Sequence, residues 1–101
     1  MIPLVADNID AIRLLCAKHR VKQLFLVGSA LGDNFRPHES DIDFVVVFMP
    51  FERGGWDDPF FKLLAELQTL LGRPVDLLEA HTVLNPYLVA SLKTKRELYA
   101  A

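Results

Sequence analysis

The sequence has 101 residues, the length of one domain, and its composition excludes several classes of protein. Hydrophobic residues make up 51% of the chain and charged residues 24%, which is ordinary for a globular domain with a core of its own. The formal net charge of −2 gives the chain no electrostatic reason to bind a nucleic-acid backbone. The single cysteine, Cys16, excludes an internal disulfide and fits a reducing cytosol.

The apolar segments are too short to cross a membrane. The longest one, residues 44–51, falls far short of the roughly 20 residues of a membrane helix and contains Pro50. The start of the chain, Met1-Ile2-Pro3-Leu4, has neither a basic region nor a long apolar stretch, so we expect no signal peptide. These features predict a cytoplasmic protein that has no membrane partner.

The first quarter of the chain predicts a helix followed by a strand. Apolar residues at helical spacing follow Asp7 and Asn8, either of which can cap a helix that we expect to end near Arg20. Residues 24–27 are a short apolar run that stops at Gly28. Such a run is typical of a strand that is buried on both faces.

The middle of the chain predicts a turn, two loops and a second strand. Residues 29–33 suit one or two helical turns, and residues 34–40 suit a loop. Residues 41–48 are dense in β-branched and aromatic side chains and give the strongest strand prediction in the chain. Residues 49–56 contain a proline and two consecutive glycines, which predict a loop.

A second helix follows this loop. Asp57 or Asp58 can cap it, Pro59 suits its first turn, and Gly72 ends it. Its apolar side chains recur at helical spacing and predict a buried stripe made of Phe60, Leu63, Leu64, Leu67, Leu70 and Leu71.

The last quarter of the chain completes an alternating pattern of elements. Residues 75–78 predict a third strand, and Asn85-Pro86 predicts the start of a last helix that runs to about Lys93. Residues 96–99 suit either an edge strand or a continuation of that helix. The order of helices and strands predicts a mixed α/β (α+β) domain, in which helices flank a small mixed β-sheet.

Two aspartates at the start of the second strand predict a cation site. Side chains alternate along a strand, so Asp41 and Asp43 point to the same face at a spacing of roughly 7 Å. Carboxylates at that spacing can share divalent cations, and Mg²⁺ prefers a few carboxylates together with water and substrate phosphates. Without a cation the two carboxylates would repel each other.

A glycine-serine pair and a third aspartate extend this site. Gly28-Ser29 lies where a strand ends and a short helix begins, so its backbone can approach a phosphate and the serine hydroxyl can donate to it. Asp76 begins the third strand and can join the carboxylates if that strand lies beside Asp43. Each feature alone is more often a turn or a solvated strand end, but their combination predicts a site for a metal–nucleotide complex.

These residues resemble a known family. Gly28-Ser29, a spacer, Asp41-x-Asp43 and a third aspartate on a later strand are similar to the pattern of the DNA polymerase β-like nucleotidyltransferase superfamily. The run Gly-Asp-x-x-x-Pro at residues 32–37, Asn85-Pro86-Tyr87 and the terminal Leu98-Tyr99 resemble its minimal members, the MNT antitoxins, which are commonly encoded beside a HEPN-domain ribonuclease toxin. The resemblance implies a single minimal domain, residues 1–101, with the nucleotidyltransferase fold.

The resemblance also implies roles for individual residues. Gly28, Ser29 and Ser40 would bind the nucleotide, and Asp41, Asp43 and Asp76 would be the catalytic residues and the ligands of two Mg²⁺ ions. Asp76 would in addition help to activate the acceptor hydroxyl. The implied reaction transfers AMP from ATP to a tyrosine hydroxyl of a HEPN toxin, which forms a hetero-oligomer with the antitoxin and is neutralised.

Two alternative functions follow from a departure from the family pattern and from the size of the chain. Many minimal members carry arginines where this chain has Ala30 and Leu31, which favours a non-catalytic antitoxin that acts by direct binding. A small-molecule nucleotidyltransferase is the other alternative, with an acceptor pocket built by dimerisation. The basic residues Lys93, Lys95 and Arg96 are interpreted as a solvated end of the chain.

Overall fold

The computed structural model describes residues 1–32, 35–37, 39–52, 58–82, 90 and 92–101. Within these residues the α-helices are α1 (Pro3–Ala6), α2 (Ile9–Lys18) and α3 (Pro59–Leu71). The strands are β1 (Val21–Val27), β2 (Ile42–Phe48), β3 (Val75–Glu79) and β4 (Arg96–Ala100). Short 3₁₀ helices cover Gly28–Leu31, Ala80–Thr82 and Leu92–Thr94. No helix in this part of the chain combines the length and the apolar content that crossing a membrane requires.

The four strands form one mixed sheet in the order β3-β2-β1-β4. Strand β1 is antiparallel to both of its neighbours, whereas β2 and β3 are parallel. A parallel pair needs a long crossover connection, and α3 supplies it between β2 and β3. The structure therefore confirms the predicted mixed sheet flanked by helices.

The hydrophobic core lies between the sheet and the helices α2 and α3. Alternate residues of β2 point into it, and Ile42, Phe44 and Val46 are fully buried there. The helices contribute further buried side chains, which include Ile12, Cys16, Leu63 and Leu67. Burying a side chain of this size contributes roughly 1.5–3 kcal/mol, so this face of the sheet holds the domain together. Burial also raises the pKa of the Cys16 thiol to about 12, which suits a residue used for packing.

Helix α3 begins and ends where local signals predict. The Oδ1 atom of Asp58 accepts a hydrogen bond of 2.9 Å from the backbone N–H of Phe60, and Pro59 occupies the first turn. Gly72 adopts the left-handed conformation with φ 64° and donates its N–H to the carbonyl of Gln68. Asp58 is therefore the capping residue, and the alternative, Asp57, lies outside the described residues.

The N-terminal helix differs from its prediction. A separate turn, α1, precedes α2, and Asn8 stands before α2 without capping it, because its Nδ2 donates to the carbonyl of Leu4 instead at 2.8 Å. Helix α2 ends at Lys18 rather than near Arg20. Arg20 adopts φ 60° in the left-handed region, which reverses the chain into β1.

Strand β1 is longer than predicted, because it starts at Val21. Leu24 and Leu26 are fully buried on the face against which α2 and α3 pack, and Val27, which points to the other face, is buried as well. Phe25 is partly buried on that other face, so the predicted burial on both faces holds for this run except at Phe25.

The sequence left open whether residues 96–99 form an edge strand or continue the last helix, and the structure shows an edge strand. Residues 96–100 form the edge strand β4, which pairs with β1. The predicted last helix, residues 85–93, lies mostly outside the described residues, and its final part belongs to the 3₁₀ helix Leu92–Thr94.

Candidate functional site

Two of the predicted site residues, Asp43 and Asp76, lie side by side at one end of the sheet. The register pairs Asp43 of β2 with Val27 of β1 on one side and with Asp76 of β3 on the other. Residues paired in register point to the same face, and neighbouring strands lie roughly 4.8 Å apart. Asp43 and Asp76 therefore project side by side from the face opposite to α2 and α3, as the sequence predicts.

Asp41 completes the carboxylate cluster, which we define as Asp41, Asp43 and Asp76. Asp41 directly precedes β2 and is exposed, and Asp76 is exposed on β3. The pKa of Asp43 is raised to about 6 from a usual value of 3.8, first by its partial burial and then by the negative charges of Asp76 and Asp41, in that order of importance. Asp41 and Asp76 are therefore near enough to Asp43 for their charges to act on it.

Gly28 lies directly against this cluster. It adopts φ +73°, which glycine tolerates and other residues rarely do. A Cβ atom at this position would lie 2.7 Å from the Oδ2 atom of Asp43. The backbone of Gly28 is exposed, so a ligand held by the carboxylates would also reach the backbone of this turn.

The 3₁₀ helix Gly28–Leu31 is held in place by apolar packing on the side that faces the core. Ala30 is fully buried in the core, and Leu31 packs against the same core. The backbone N–H of Ile2 donates to the carbonyl of Ala30 at 2.9 Å. Ala30 and Leu31, which replace the arginines of many family members, therefore anchor the turn in the core. Ser29 remains partly exposed beside Gly28.

Ser40 shapes the loop before the cluster. Its Oγ atom accepts from the backbone N–H of Arg36 at 3.1 Å, and its own N–H donates to the Arg36 carbonyl at 2.8 Å. This closes a turn just before Asp41, so the hydroxyl of Ser40 already has a structural partner. Its binding of a nucleotide stays a prediction.

Arg73 is a contributor that the sequence did not reveal. Its Nη2 atom donates to the carbonyl of Pro37, and its guanidinium lies 5.1 Å from the centre of the Phe35 ring. These contacts hold the loop that leads to Asp41. No motif marks Arg73, because its role depends on α3 ending beside this loop.

The carboxylate cluster is not a closed metal cage. Among the described residues, no three His, Cys, Asp or Glu side chains are close enough together to hold a metal ion by themselves. Mg²⁺ in phosphate-binding sites commonly takes one or two carboxylates and completes its shell with water and substrate phosphates. The open cluster beside an exposed backbone turn suits that mode of binding.

A large cavity lies elsewhere and is not the candidate site. It has a volume of about 740 Å³ and lies on the helix side, where Lys18, His19 and Glu66 line it. Buried His19 bonds to Glu66 through Nε2, and the Nζ atom of Lys18 lies 2.7 Å from the Oε1 atom of Glu66. None of the three aspartates lines this cavity.

The position of Gly28 leads to a first prediction. Gly28→Ala and Gly72→Ala both place a side chain at positive φ, so each is expected to lower the free energy of unfolding by about 1–2 kcal/mol. The added Cβ meets Asp43 only at position 28, because at position 72 it meets nothing within 4 Å. Since the Asp43 side chain can rotate away, the extra effect of Gly28→Ala should be loss of Mg²⁺–nucleotide binding. Urea unfolding and calorimetric titration measure the two effects, and equally tight binding by both variants would contradict this placement.

The raised pKa of Asp43 leads to a second prediction. Since the pKa is about 6 in the folded protein and 3.8 as the usual value, the folded state binds the proton more tightly, and stability falls as pH rises between these values. At about pH 8, without metal, Asp43→Asn should raise the free energy of unfolding by on the order of 1 kcal/mol, a figure reduced for solvent screening. The gain should vanish below about pH 4. Thermal unfolding across this range tests it, and a gain independent of pH would contradict the electrostatic cause.

The chain has recognisable relatives. The family model of the nucleotidyltransferase domain matches residues 10–99. A Methanocaldococcus jannaschii protein named "Putative protein adenylyltransferase" is 33% identical over 82 residues, which cover 80% of this chain and 79% of that protein. A solved structure named "putative minimal nucleotidyltransferase" has a TM-score of 0.67 and 26% identity, and the match covers 90% of this chain and 88% of the other.

A further structural relative comes from a toxin–antitoxin complex. A chain in the complex of tri-AMPylated Shewanella oneidensis HEPN toxin with MNT antitoxin has a TM-score of 0.64 and 20% identity, over 95% of this chain and 72% of the other. At this identity the likeness shows the fold. Because the family model covers residues 10–99, the chain belongs to the nucleotidyltransferase domain family, as the resemblance in its sequence predicts.

Proposed function

We propose that this nucleotidyltransferase uses Mg²⁺ to transfer AMP from ATP to a tyrosine hydroxyl of a partner HEPN ribonuclease toxin and thereby neutralises it. The observation that carries the proposal is the carboxylate cluster at the backbone of Gly28. The register places Asp43 beside Asp76, and the turn places an exposed backbone against Asp43. Phosphoryl transfer depends mainly on positioning and on stabilising charge, which this arrangement can supply.

The carboxylate cluster fits the proposed metal. All of its side-chain donors are the hard carboxylate oxygens that Mg²⁺ prefers. Partial burial and, after it, the negative charges of Asp76 and Asp41 raise the pKa of Asp43, so a cation would offset an unfavourable charge already present in the fold. When bound, Mg²⁺, which we expect as two ions, would offset the phosphate charge and orient the phosphates for displacement.

Residues of the turn and of the edge strand have distinct roles in the proposed reaction. The backbone at Gly28 and the Ser29 hydroxyl bind the phosphates, with Ser40 assisting from the loop. The acceptor hydroxyl oxygen forms a bond to the α-phosphorus of ATP, the bond from that phosphorus to the bridging oxygen breaks, and pyrophosphate leaves. The carboxylate of Asp76 takes the hydroxyl proton as general base.

The position of Asp76 supports a protein acceptor. Strand β3 is at the edge of the sheet and Asp76 is exposed on it, so a large acceptor can approach this side of the cluster. The name of the Methanocaldococcus jannaschii relative and the modified toxin in the Shewanella oneidensis complex support the same class of acceptor. We further propose that residues 1–101 act as a single domain, and that the pair works in the cytoplasm.

A contact-only antitoxin is the second candidate. It is favoured by the absence of basic side chains within Gly28–Leu31, where Ala30 and Leu31 serve packing instead. In that case the protein would neutralise the toxin by binding alone. A small-molecule nucleotidyltransferase remains the alternative for a chain that has no protein partner.

The proposed function predicts a modified partner. The complex purified from the native host should contain a HEPN-domain protein whose intact mass exceeds its sequence mass by one or more AMP groups. Reconstitution of the unmodified pair with Mg²⁺ and ATP should reproduce the adduct, and EDTA should abolish it. The double variant Asp41→Asn with Asp43→Asn is the matched control and should leave the partner unmodified.

The remaining outcomes of this experiment separate the candidates. If the double variant still neutralises the toxin fully, contact alone explains neutralisation. If the partner is bound tightly but never modified, AMP transfer to the toxin is refuted. If no partner is found and a small hydroxyl compound is adenylylated by the protein alone, the small-molecule enzyme is correct.

The role of Asp76 predicts a split between binding and turnover. Asp76→Asn should lower the rate of AMP transfer by roughly 10²–10⁴-fold, which is the usual contribution of a general base. Its affinity for Mg²⁺–ATP should change much less than that of Asp41→Asn or Asp43→Asn. Single-turnover kinetics and calorimetric titration measure the two effects, and equal binding defects in all three variants would rule out the assigned role.

A further inference from the structure

The turn at residues 28–32, which the proposed function assigns to phosphate binding, has no cationic side chain of its own. Residues 28–32 contain neither lysine nor arginine, and the carboxylate cluster beside them is negative. Arg36 lies 3.5 Å from Glu39, and Arg73 is bonded to Pro37, so both serve the loop before β2. A polyphosphate bound at this turn would therefore gain from a further cation, and the side of the turn towards β4 is the side away from the carboxylates.

The sheet register brings a lysine to that side. Arg96 of β4 pairs with Leu26 of β1, so Lys95, which directly precedes β4, comes level with Val27. Val27 is paired with Asp43, which is paired with Asp76. Lys95, Val27, Asp43 and Asp76 thus form one row across the end of the sheet, with roughly 4.8 Å between neighbouring strands.

The side chain of Lys95 lies on the same face as the carboxylate cluster. Its Nζ atom is 5.6 Å from the centre of the Phe25 ring. Phe25 pairs with Val45, two residues from Asp43, and so points to the face from which Asp43 projects. Lys95 is exposed on a flexible stem, and it already interacts with other groups of the protein besides the Phe25 ring, so binding a phosphate at the neighbouring turn would exchange these contacts for the ligand.

We propose that Lys95 is a phosphate-binding residue of the nucleotide site, and that its ammonium group contacts the polyphosphate at Gly28-Ser29 from the side opposite to the carboxylates. This inference rests on the proposed function, because it takes a nucleoside triphosphate as the ligand of the turn. Lys95 would then supply the positive charge that Ala30 and Leu31 do not.

The neighbouring Arg96 provides a matched control. It is equally cationic and exposed, but its partner in register, Leu26, points into the core. Its side chain therefore leaves the sheet on the helix side, away from the carboxylate cluster. Lys22, near the far end of β1, is a second exposed cation for comparison.

Calorimetric titration with Mg²⁺ and a non-hydrolysable ATP analogue tests the proposal. Lys95→Gln should weaken binding of the analogue about tenfold, the effect of losing one charge-assisted contact. Binding of AMP, which lacks the β- and γ-phosphates, should stay within about twofold of wild type, and pyrophosphate should compete less well. Lys95→Arg should restore the affinity, whereas Arg96→Gln and Lys22→Gln should leave it within about twofold of wild type.

Two failures of this experiment are distinguishable. If the wild-type protein binds the analogue and Lys95→Gln binds it equally well, the role of Lys95 is refuted and the proposed function stands. If the wild-type protein binds no triphosphate in the presence of Mg²⁺, both proposals fail. Equal weakening of AMP and of the analogue in Lys95→Gln would show a structural role and would also refute phosphate binding.

Discussion

The contact between the backbone of Gly28 and the carboxylate of Asp43 is the constraint on which the rest of the site depends. A side chain at position 28 would displace the Asp43 oxygen, and the positive φ of Gly28 turns the chain at that point into the 3₁₀ helix. This arrangement places an exposed backbone turn beside a carboxylate. The antiparallel pairing of β1 with β2 produces it, because the end of one strand meets the start of the other.

The two faces of the sheet have different roles, because one carries the core and the other carries the acidic residues of the candidate site. The face towards α2 and α3 carries fully buried residues such as Phe44 and Val46, whose burial stabilises the fold. The opposite face carries Asp43 and Asp76, and the partly buried charge of Asp43, together with the repulsion from Asp76, destabilises the fold when no cation is bound. Because side chains alternate along β2, one strand serves both faces, and the core keeps the like charges of the cluster in place.

Local signals in the sequence predicted much of this structure. The bounds of α3 follow from Asp58, Pro59 and Gly72, which act within one turn of the helix. Strand alternation predicts a common face for Asp41 and Asp43, and the structure places Asp41 directly before β2, near enough for its charge to act on Asp43. The sequence could not place β4, because its identity as an edge strand depends on pairing with β1 across some 70 residues of chain. Lys95 is exposed, as the interpretation of a solvated end predicts, but its position in register with Val27 and the contact of Arg73 with the loop before Asp41 depend on the same long-range packing.

The pairing of β4 with β1, which the sequence could not reveal, makes the two sides of the candidate site chemically different. Across the end of the sheet, Asp76 stands at the β3 edge, Asp43 in the middle, and Lys95 beside the β4 edge. In-line displacement requires the attacking and leaving oxygens to lie on opposite sides of the phosphorus. Under the proposed function the acceptor would lose its proton at Asp76, and pyrophosphate would depart towards Lys95. A sheet with β4 on the other side of β3 would bring the cation and the general base together, and an ion pair between them would weaken both roles.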